Sequence, residues 1–162
     1  MDNLSCTDDP VKEEYSFYEH IDDYLKYERL CNLDRNYSEY NKKCESIGIE
    51  LDDMKERSNI CKRFHCLIDE IKKSRPKSNN TNKYADLAYL RYWLNYELYN
   101  KNANIETKAF HKHMKSKDKT NETLSELDTK LDNIIKEELI NMNSLFYLSA
   151  DYIHIIRTTT KT

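Results

Sequence analysis

Sixteen consecutive residues, Tyr84 to Tyr99 (YADLAYLRYWLNYELY), place the strongest constraint on how this chain can fold. Leu87, Leu90, Leu94 and Leu98 recur at steps of three and four, the spacing of one helix face. Tyr89, Tyr92, Trp93, Tyr96 and Tyr99 carry apolar area around the other sides. A helix that is apolar nearly all round has to be enclosed by neighbours. The run therefore predicts a central helix, and its tyrosine hydroxyls need polar partners or a route to water.

The rest of the chain has the periodicity of helices that could enclose it. One glycine and two prolines in 162 residues leave little punctuation for hairpins, which argues against a sandwich or barrel. Asp9 followed by Pro10 reads as a helix start, and Phe17, Ile21, Tyr24 and Glu28 continue it, giving a helix over 11–31. Tyr37, Tyr40, Cys44 and Ile47 predict a second helix, stopped by Gly48, which takes the left-handed conformation cheaply. Met54, Cys61, Phe64, Ile68 and Ile71 form the stripe of a third, ending before Ser74. The polar stretch 74–83 (SRPKSNNTNK) reads as an internal loop. A short helix is expected over 104–115, and a long one over 122–153 with a break near 141–144. In the long helix Leu127, Leu131, Ile134, Met142, Leu145 and Phe146 line the packed side. The expectation is an all-α, single-domain bundle of about five to six helices spanning 10–157, with flexible ends at 1–9 and 158–162. Phe17, Ile21, Phe64, Leu90, Trp93, Leu94 and Leu131 are its expected core.

Charge and hydropathy exclude several functions. The net charge is −3 and the isoelectric point about 6.0, with both signs interspersed, so no nucleic-acid partner is expected. The basic stretch Lys108 to Lys119 reads as a solvated helix end or loop. The most apolar run, Leu145 to Ile156 (LFYLSADYIHII), is too short to span a membrane and is interrupted by Asp151 and His154. The opening residues, MDNLSCTDDP, have neither the basic nor the apolar region of a standard signal peptide. All five cysteines (Cys6, Cys31, Cys44, Cys61 and Cys66) lie in the first 66 residues, a clustering that fits disulfides clamping the N-terminal half. Five cysteines allow fifteen ways of making two bridges; Cys44–Cys61 is the candidate singled out. Reduced cysteines serving as small core residues are the other reading.

No catalytic, cofactor-binding or metal residues emerge. His111 and His113 point to different faces of a helix, and no further ligands accompany them. Cys61 and His65 can touch at i and i+4, but no third group or oxyanion hole is visible, so a disulfide cysteine beside an exposed histidine is expected. Asp22–Asp23 and Asp52–Asp53 read as solvated faces or helix starts, and a single glycine permits no phosphate-binding loop. An enzyme, a cofactor and a small-molecule substrate are not expected. The glycosylation sequons at Asn3, Asn36, Asn79 and Asn121 are of a frequency that so much asparagine produces by chance.

Tyr89-Leu90-Arg91-Tyr92-Trp93-Leu94-Asn95 resembles the YLNYWLN-type signature of the Plasmodium interspersed repeat family of malaria variant antigens, especially its vivax-type (Vir) branch. Tyr15-Ser16-Phe17-Tyr18-Glu19 is similar to the family's opening YxFYE pattern. Tyr40-Asn41-Lys42-Lys43-Cys44 and Cys61-Lys62-Arg63-Phe64 are similar to its tyrosine–cysteine helix and its cysteine-starting helix. The resemblance covers roughly residues 10 to 100. The chain departs from the pattern at Leu87, where members commonly carry a cysteine, so the usual partner of that cysteine has to pair elsewhere or stay free, with Cys6, Cys31 or Cys66 to supply the rewiring. It also lacks the membrane span common near the family's C-terminus, as a short soluble member or an excised ectodomain would.

The resemblance implies export from the parasite to the infected red cell. The first expectation is a surface antigen acting in immune evasion and in binding a host cell-surface protein or antibody. The runner-up is an exported scaffold or remodelling protein in the host cytosol, which predicts free thiols. A hydrolase using Cys61 and His65 is the remote third.

Overall fold

The computed structural model describes residues 16–32, 35–45, 47, 51–75, 82–103, 105–128 and 134–160, the side chains of 51–54 and 153 excepted. Six α-helices and no strand occur among them: α1 (Ile21–Leu30), α2 (Leu51–Ser74), α3 (Lys83–Asn100), α4 (Thr107–Lys117), α5 (Glu122–Leu127) and α6 (Lys136–Thr159). Short 3-10 turns occupy Ser16–His20, Ser38–Tyr40 and Lys42–Cys44. The fold is an all-α bundle with two disulfides in its N-terminal half. The expected Asp9–Pro10 start, Gly48, Cys6, Leu131 and the sequons at Asn3 and Asn79 lie outside the described residues.

Helix α3 is the axis. It packs against α2, α4, α5, α6 and the Ser16–His20 turn, and its buried residues (Leu87, Tyr89, Leu90, Tyr92, Trp93, Leu94 and Leu98 among them) point in every direction. Its C-terminus closes on Asn102, whose φ of 49° is left-handed. The Ala103 N–H then reaches back to the Leu98 carbonyl at 3.1 Å, so asparagine takes the place that glycine usually fills.

The core is dominated by stacked rings. Tyr24 lies on Tyr89 at 4.1 Å between centroids, Phe17 on Tyr92 at 5.3 Å, and Phe146 of α6 closes the cluster 6.2 Å from Tyr89. Three of the buried phenols find acceptors of the kind burial requires: Tyr24 donates to Asp86 (2.9 Å), Tyr89 to Glu28 (2.6 Å) and Tyr92 to Asn143 (2.8 Å). Phe17, Ile21, Phe64, Leu90, Trp93 and Leu94 are all buried.

Four segments differ from expectation. Among the described residues of the first expected helix, Ser16–His20 winds as a 3-10 turn and α geometry follows from Ile21; the 3-10 form is the tighter one that often opens helices. There Phe17 enters the ring cluster while its neighbour Tyr18 donates to the Met142 carbonyl.

Where a second α-helix is expected, Ser38–Tyr40 and Lys42–Cys44 wind as two 3-10 turns, although Tyr37, Tyr40, Cys44 and Ile47 are buried as a helical stripe would be. Two of its three apolar steps are three residues, the 3-10 period, and the Asn36 side chain takes the Ser38 N–H at 3.0 Å, diverting the backbone from α geometry.

The break in the last long helix falls between α5 and α6, not near 141–144. Asn143 is spent on Tyr92, whereas Asn95 Oδ1 accepts both the Thr107 hydroxyl (2.7 Å) and the Ile134 N–H (3.3 Å), fixing the connection. Finally, α6 runs through Thr159, past the expected helix end at 153. Thr158 and Thr159 hydroxyls bond carbonyls three and four residues back.

Two disulfides staple this framework to α2. Cys31, just past α1, joins Cys66, and Cys44, at the end of its 3-10 turn, joins Cys61. Leu87 is buried among apolar neighbours.

Candidate functional site: the outer face of α6 and the Cys44–Cys61–His65 cluster

Eleven large apolar side chains are exposed among the described residues, and seven of them stand on α6: Ile140, Leu145, Tyr147, Leu148, Tyr152, Ile155 and Ile156. Leu145, Leu148, Tyr152 and Ile155 follow steps of three, four and three, so they form one stripe along the helix. Their exposure runs from 46% to 65%. Leu139, Met142 and Phe146 make the opposite, buried stripe, also at steps of three and four. Leu145 thus faces outward, contrary to its expected place on the packed side: at 100° per residue it sits well round the helix from its neighbour Phe146. Sequence reasoning missed this outer face, but its signal was present. LFYLSADYIHII holds more apolar residues than one buried face can use.

Each of these exposed side chains is of the kind that soluble surfaces usually scatter singly. Aligned at three-and-four spacing, they match the seam by which one helix receives another. Few charges interrupt it. Asp151 lies at its margin, and Arg157, beyond it, pairs back to Asp22 on α1.

The other sites weighed in the sequence sort differently. His111 is buried, its Nε2 2.7 Å from the Leu124 carbonyl, while His113 is half-buried on another side of α4. The basic stretch is amphipathic rather than a loop: Phe110, His111 and Met114 are buried, and Lys108, Lys112, Lys117 and Lys119 are exposed. Asp23 lies 3.7 Å from Arg75. Asn121 caps α5 by accepting the Leu124 N–H and is largely buried, so its sequon side chain is already engaged. A groove of about 700 Å³ beside Asp86 and Glu126 has its main charges paired, Arg75 with Asp86 and Lys83 with Glu126.

Cys61 is disulfide-bonded, so it presents no nucleophilic thiol in this state. His65, one turn further along α2, is buried, not exposed. The helical step of four turns it to the same side as Cys61, against the Tyr40 ring at 5.8 Å. One of its ring nitrogens and the sulfurs of Cys44 and Cys61 lie within 4.8 Å of one another. Nδ1 is 3.9 Å from Asp118 Oδ2, and Nε2 has no hydrogen-bond partner. Such an orphaned buried group costs about 1–3 kcal/mol.

Burial above all, and then the nearby Lys43 ammonium, push His65 down to about 4, outweighing the opposing pull of Asp118 and Asp69. Its imidazole is neutral at pH 7. Because the unfolded histidine binds its proton near pH 6.5, the unfolded chain gains that proton first on acidification. Stability is therefore complete above pH 6.5 and falls as the pH drops toward 4, by roughly 3 kcal/mol. His65→Phe should flatten that slope in urea melts of the oxidised protein, and an unchanged slope would refute the assignment. Asp118 contributes lower in pH. Burial raises it, but the Asn121 hydrogen bond and Lys43 together bring it below the usual carboxylate value, so the comparison is made above pH 4.

No helix among the described residues is long and apolar enough to cross a membrane. Comparisons of the chain with protein-family models, curated proteins and solved structures found no match.

Proposed function

We propose that this chain is a protein-binding module in which a disulfide-clamped helical body presents the outer stripe of α6 to a partner helix. One observation carries the reading: Leu145, Leu148, Tyr152 and Ile155 stand exposed in a single row at coiled-coil spacing. Aromatic and aliphatic side chains grouped in this way are the usual anchors of an interface. A helix laid along them reads the three-and-four spacing directly. The two disulfides support an oxidising destination.

Combined with the tryptophan-signature resemblance, this reading makes the chain a variant surface antigen of a malaria parasite. It is exported to the infected red cell, where it binds a host surface protein or is seen by antibody. The resemblance carries the biological setting; the α6 stripe carries the mode of contact.

The test combines location and contact. The oxidised protein is screened against an array of folded host-cell ectodomains, and its accessibility is measured on intact infected cells. Leu148→Asp with Tyr152→Asp should weaken a captured interaction by about thirtyfold, the effect of losing a 2 kcal/mol hot spot. Because both side chains are exposed, the melting temperature should stay within about 2 °C. Undiminished binding by the double variant would remove α6 as the contact surface. Free thiols together with inaccessibility on intact cells would replace the antigen reading with that of a scaffold in the host cytosol. Concentration-dependent self-association lost in the same variant would identify the partner helix as α6 of a second copy.

A further inference from the structure

The Cys44–Cys61–His65 cluster has the composition and placement of a metal site that the disulfide occupies. Cys61 and His65 project from one face of α2 a turn apart, and Cys44 is brought to them by the Lys42–Cys44 turn. The two sulfurs and a ring nitrogen already lie within 4.8 Å of one another, and all three residues are buried. The unpartnered Nε2 of His65 is an independent observation, since a fully enclosed imidazole ordinarily uses both nitrogens. On the other side of the ring, Nδ1 faces the Asp118 carboxylate at 3.9 Å. Asp118 is in turn held by Lys43 (3.3 Å) and by the Asn121 amide (3.0 Å). A carboxylate behind a histidine whose other nitrogen is uncommitted is the outer-shell arrangement that orients metal-bound histidines.

We propose that, when the Cys44–Cys61 disulfide is reduced, Cys44, Cys61 and His65 bind a zinc ion. Reduction by a thiol of the glutathione class consumes two thiols, breaks the S–S bond and yields two cysteine thiols and one external disulfide. Zinc then displaces the two thiol protons. The two thiolates balance the dication, and His65 supplies the Nε2 lone pair while its proton stays on Nδ1 toward Asp118. Two sulfurs and an imidazole match the borderline-soft preference of zinc, with water in the fourth position. The same three side chains thus tie the 3-10 turn to α2 in either redox state. In an oxidising compartment the link is covalent, and in a reducing one, where disulfides do not persist, it is a metal.

The second disulfide is an internal control. Among the described residues no histidine accompanies Cys31 and Cys66 in such a group, and the Arg35 guanidinium lies 2.8 Å from Cys66 Sγ, a cation that opposes a dication.

The experiment uses the full chain carrying Cys6→Ser, reduced with a phosphine and desalted. It is titrated with zinc, and with cobalt(II) as a spectroscopic probe. One equivalent of zinc is expected in the reduced protein and none in the oxidised. Cobalt should show a thiolate charge-transfer band and the strong visible bands of tetrahedral coordination. Cys31→Ser with Cys66→Ser should keep the full equivalent. His65→Ala should weaken binding at least tenfold and shift the cobalt bands, and Asp118→Asn should weaken it about tenfold. Absence of binding by reduced protein, affinity indifferent to His65→Ala, or loss of the site with Cys31 and Cys66 would each overturn the proposal. If reduction unfolds the chain, zinc should restore its helical circular dichroism; failure to do so counts against the site equally.

Discussion

Trp93→Ala is expected to lower unfolding stability by about 3–5 kcal/mol, the usual cost of emptying a large aromatic site. Trp93 is 3% exposed and sits where α3 crosses α2. Its ring stacks 5.9 Å from Phe64, and the Arg63 guanidinium lies 5.2 Å from its centroid. Arg63 also bonds Glu97 (3.1 Å) and the Cys31 carbonyl (3.2 Å), so the indole is one wall of a polar network as well as a core side chain. Truncation would open a cavity and leave the guanidinium without its π face, a contact worth a further ~0.5–2 kcal/mol. A domain of this size has only about 5–15 kcal/mol in total. Placing aspartate at both Leu90 and Trp93 should therefore abolish the cooperative melt, because two unpaired charges would enter the enclosed helix. Circular dichroism during urea denaturation measures both variants. A Trp93→Ala midpoint within about 1 kcal/mol of the parent would show that α3 is not the axis on which the other helices close.

How far the chain could be read in advance depends on which physical constraint acted at each place. The axis was legible because no helix face of Tyr84–Tyr99 is polar, and only enclosure satisfies such a segment. The clustering of cysteines before residue 67 likewise announced a clamp, and Cys44–Cys61 is formed. Apolar spacing alone misled at 37–47, where steps of three serve 3-10 and α windings equally and the Asn36 side chain decides. It misled again in 122–153, since the break depends on Asn95, about forty residues away in sequence, which accepts the Ile134 N–H.

The candidate sites were less legible than the fold. Apolar spacing places Leu145 on the packed side and leaves Leu148, Tyr152 and Ile155 unassigned, because a one-dimensional pattern counts apolar residues without knowing how many neighbours exist to cover them. His65 was expected to be exposed because its enclosure by Tyr40 and Asp118 comes from elements 25 and 53 residues away. The Cys44–Cys61–His65 group has ligands split between a turn and a helix, so no contiguous motif announces it.

Asp86 exposes the same limit and supports the second large expected effect. In the sequence it is one of two acids, with Glu97, in an aromatic helix, and nothing local assigns it a partner. In the structure it is 4% exposed and accepts three hydrogen bonds: Arg75 Nη2 at 2.8 Å, Arg75 Nε at 3.1 Å and the Tyr24 hydroxyl at 2.9 Å. The two-pronged contact is the strong form of this ion pair, and Asp86 lies in the first turn of α3, where the helix dipole also favours an anion. Arg75 follows the last residue of α2 directly. One carboxylate therefore locks the end of α2, the start of α3 and, through Tyr24, the middle of α1. The hydrogen bond from Arg75 to Asp86 raises the guanidinium above its ordinary value, and burial raises the Tyr24 phenol, so both keep their protons.

Asp86→Ala should cost about 3–5 kcal/mol, because it leaves a half-buried guanidinium with only the more distant Asp23 carboxylate at 3.7 Å, instead of merely deleting a contact. Arg75→Ala should cost a similar amount by stranding the carboxylate. The discriminating measurement is the double variant Asp86→Leu with Arg75→Met, which removes both charges and fills their space. It should recover most of the loss, since a buried pair replaced by well-packed apolar groups is often neutral. Losses in the two single alanine variants that simply add in the Asp86→Ala, Arg75→Ala double would mean the groups act independently. That result would reduce the three-helix lock to two unrelated surface contacts.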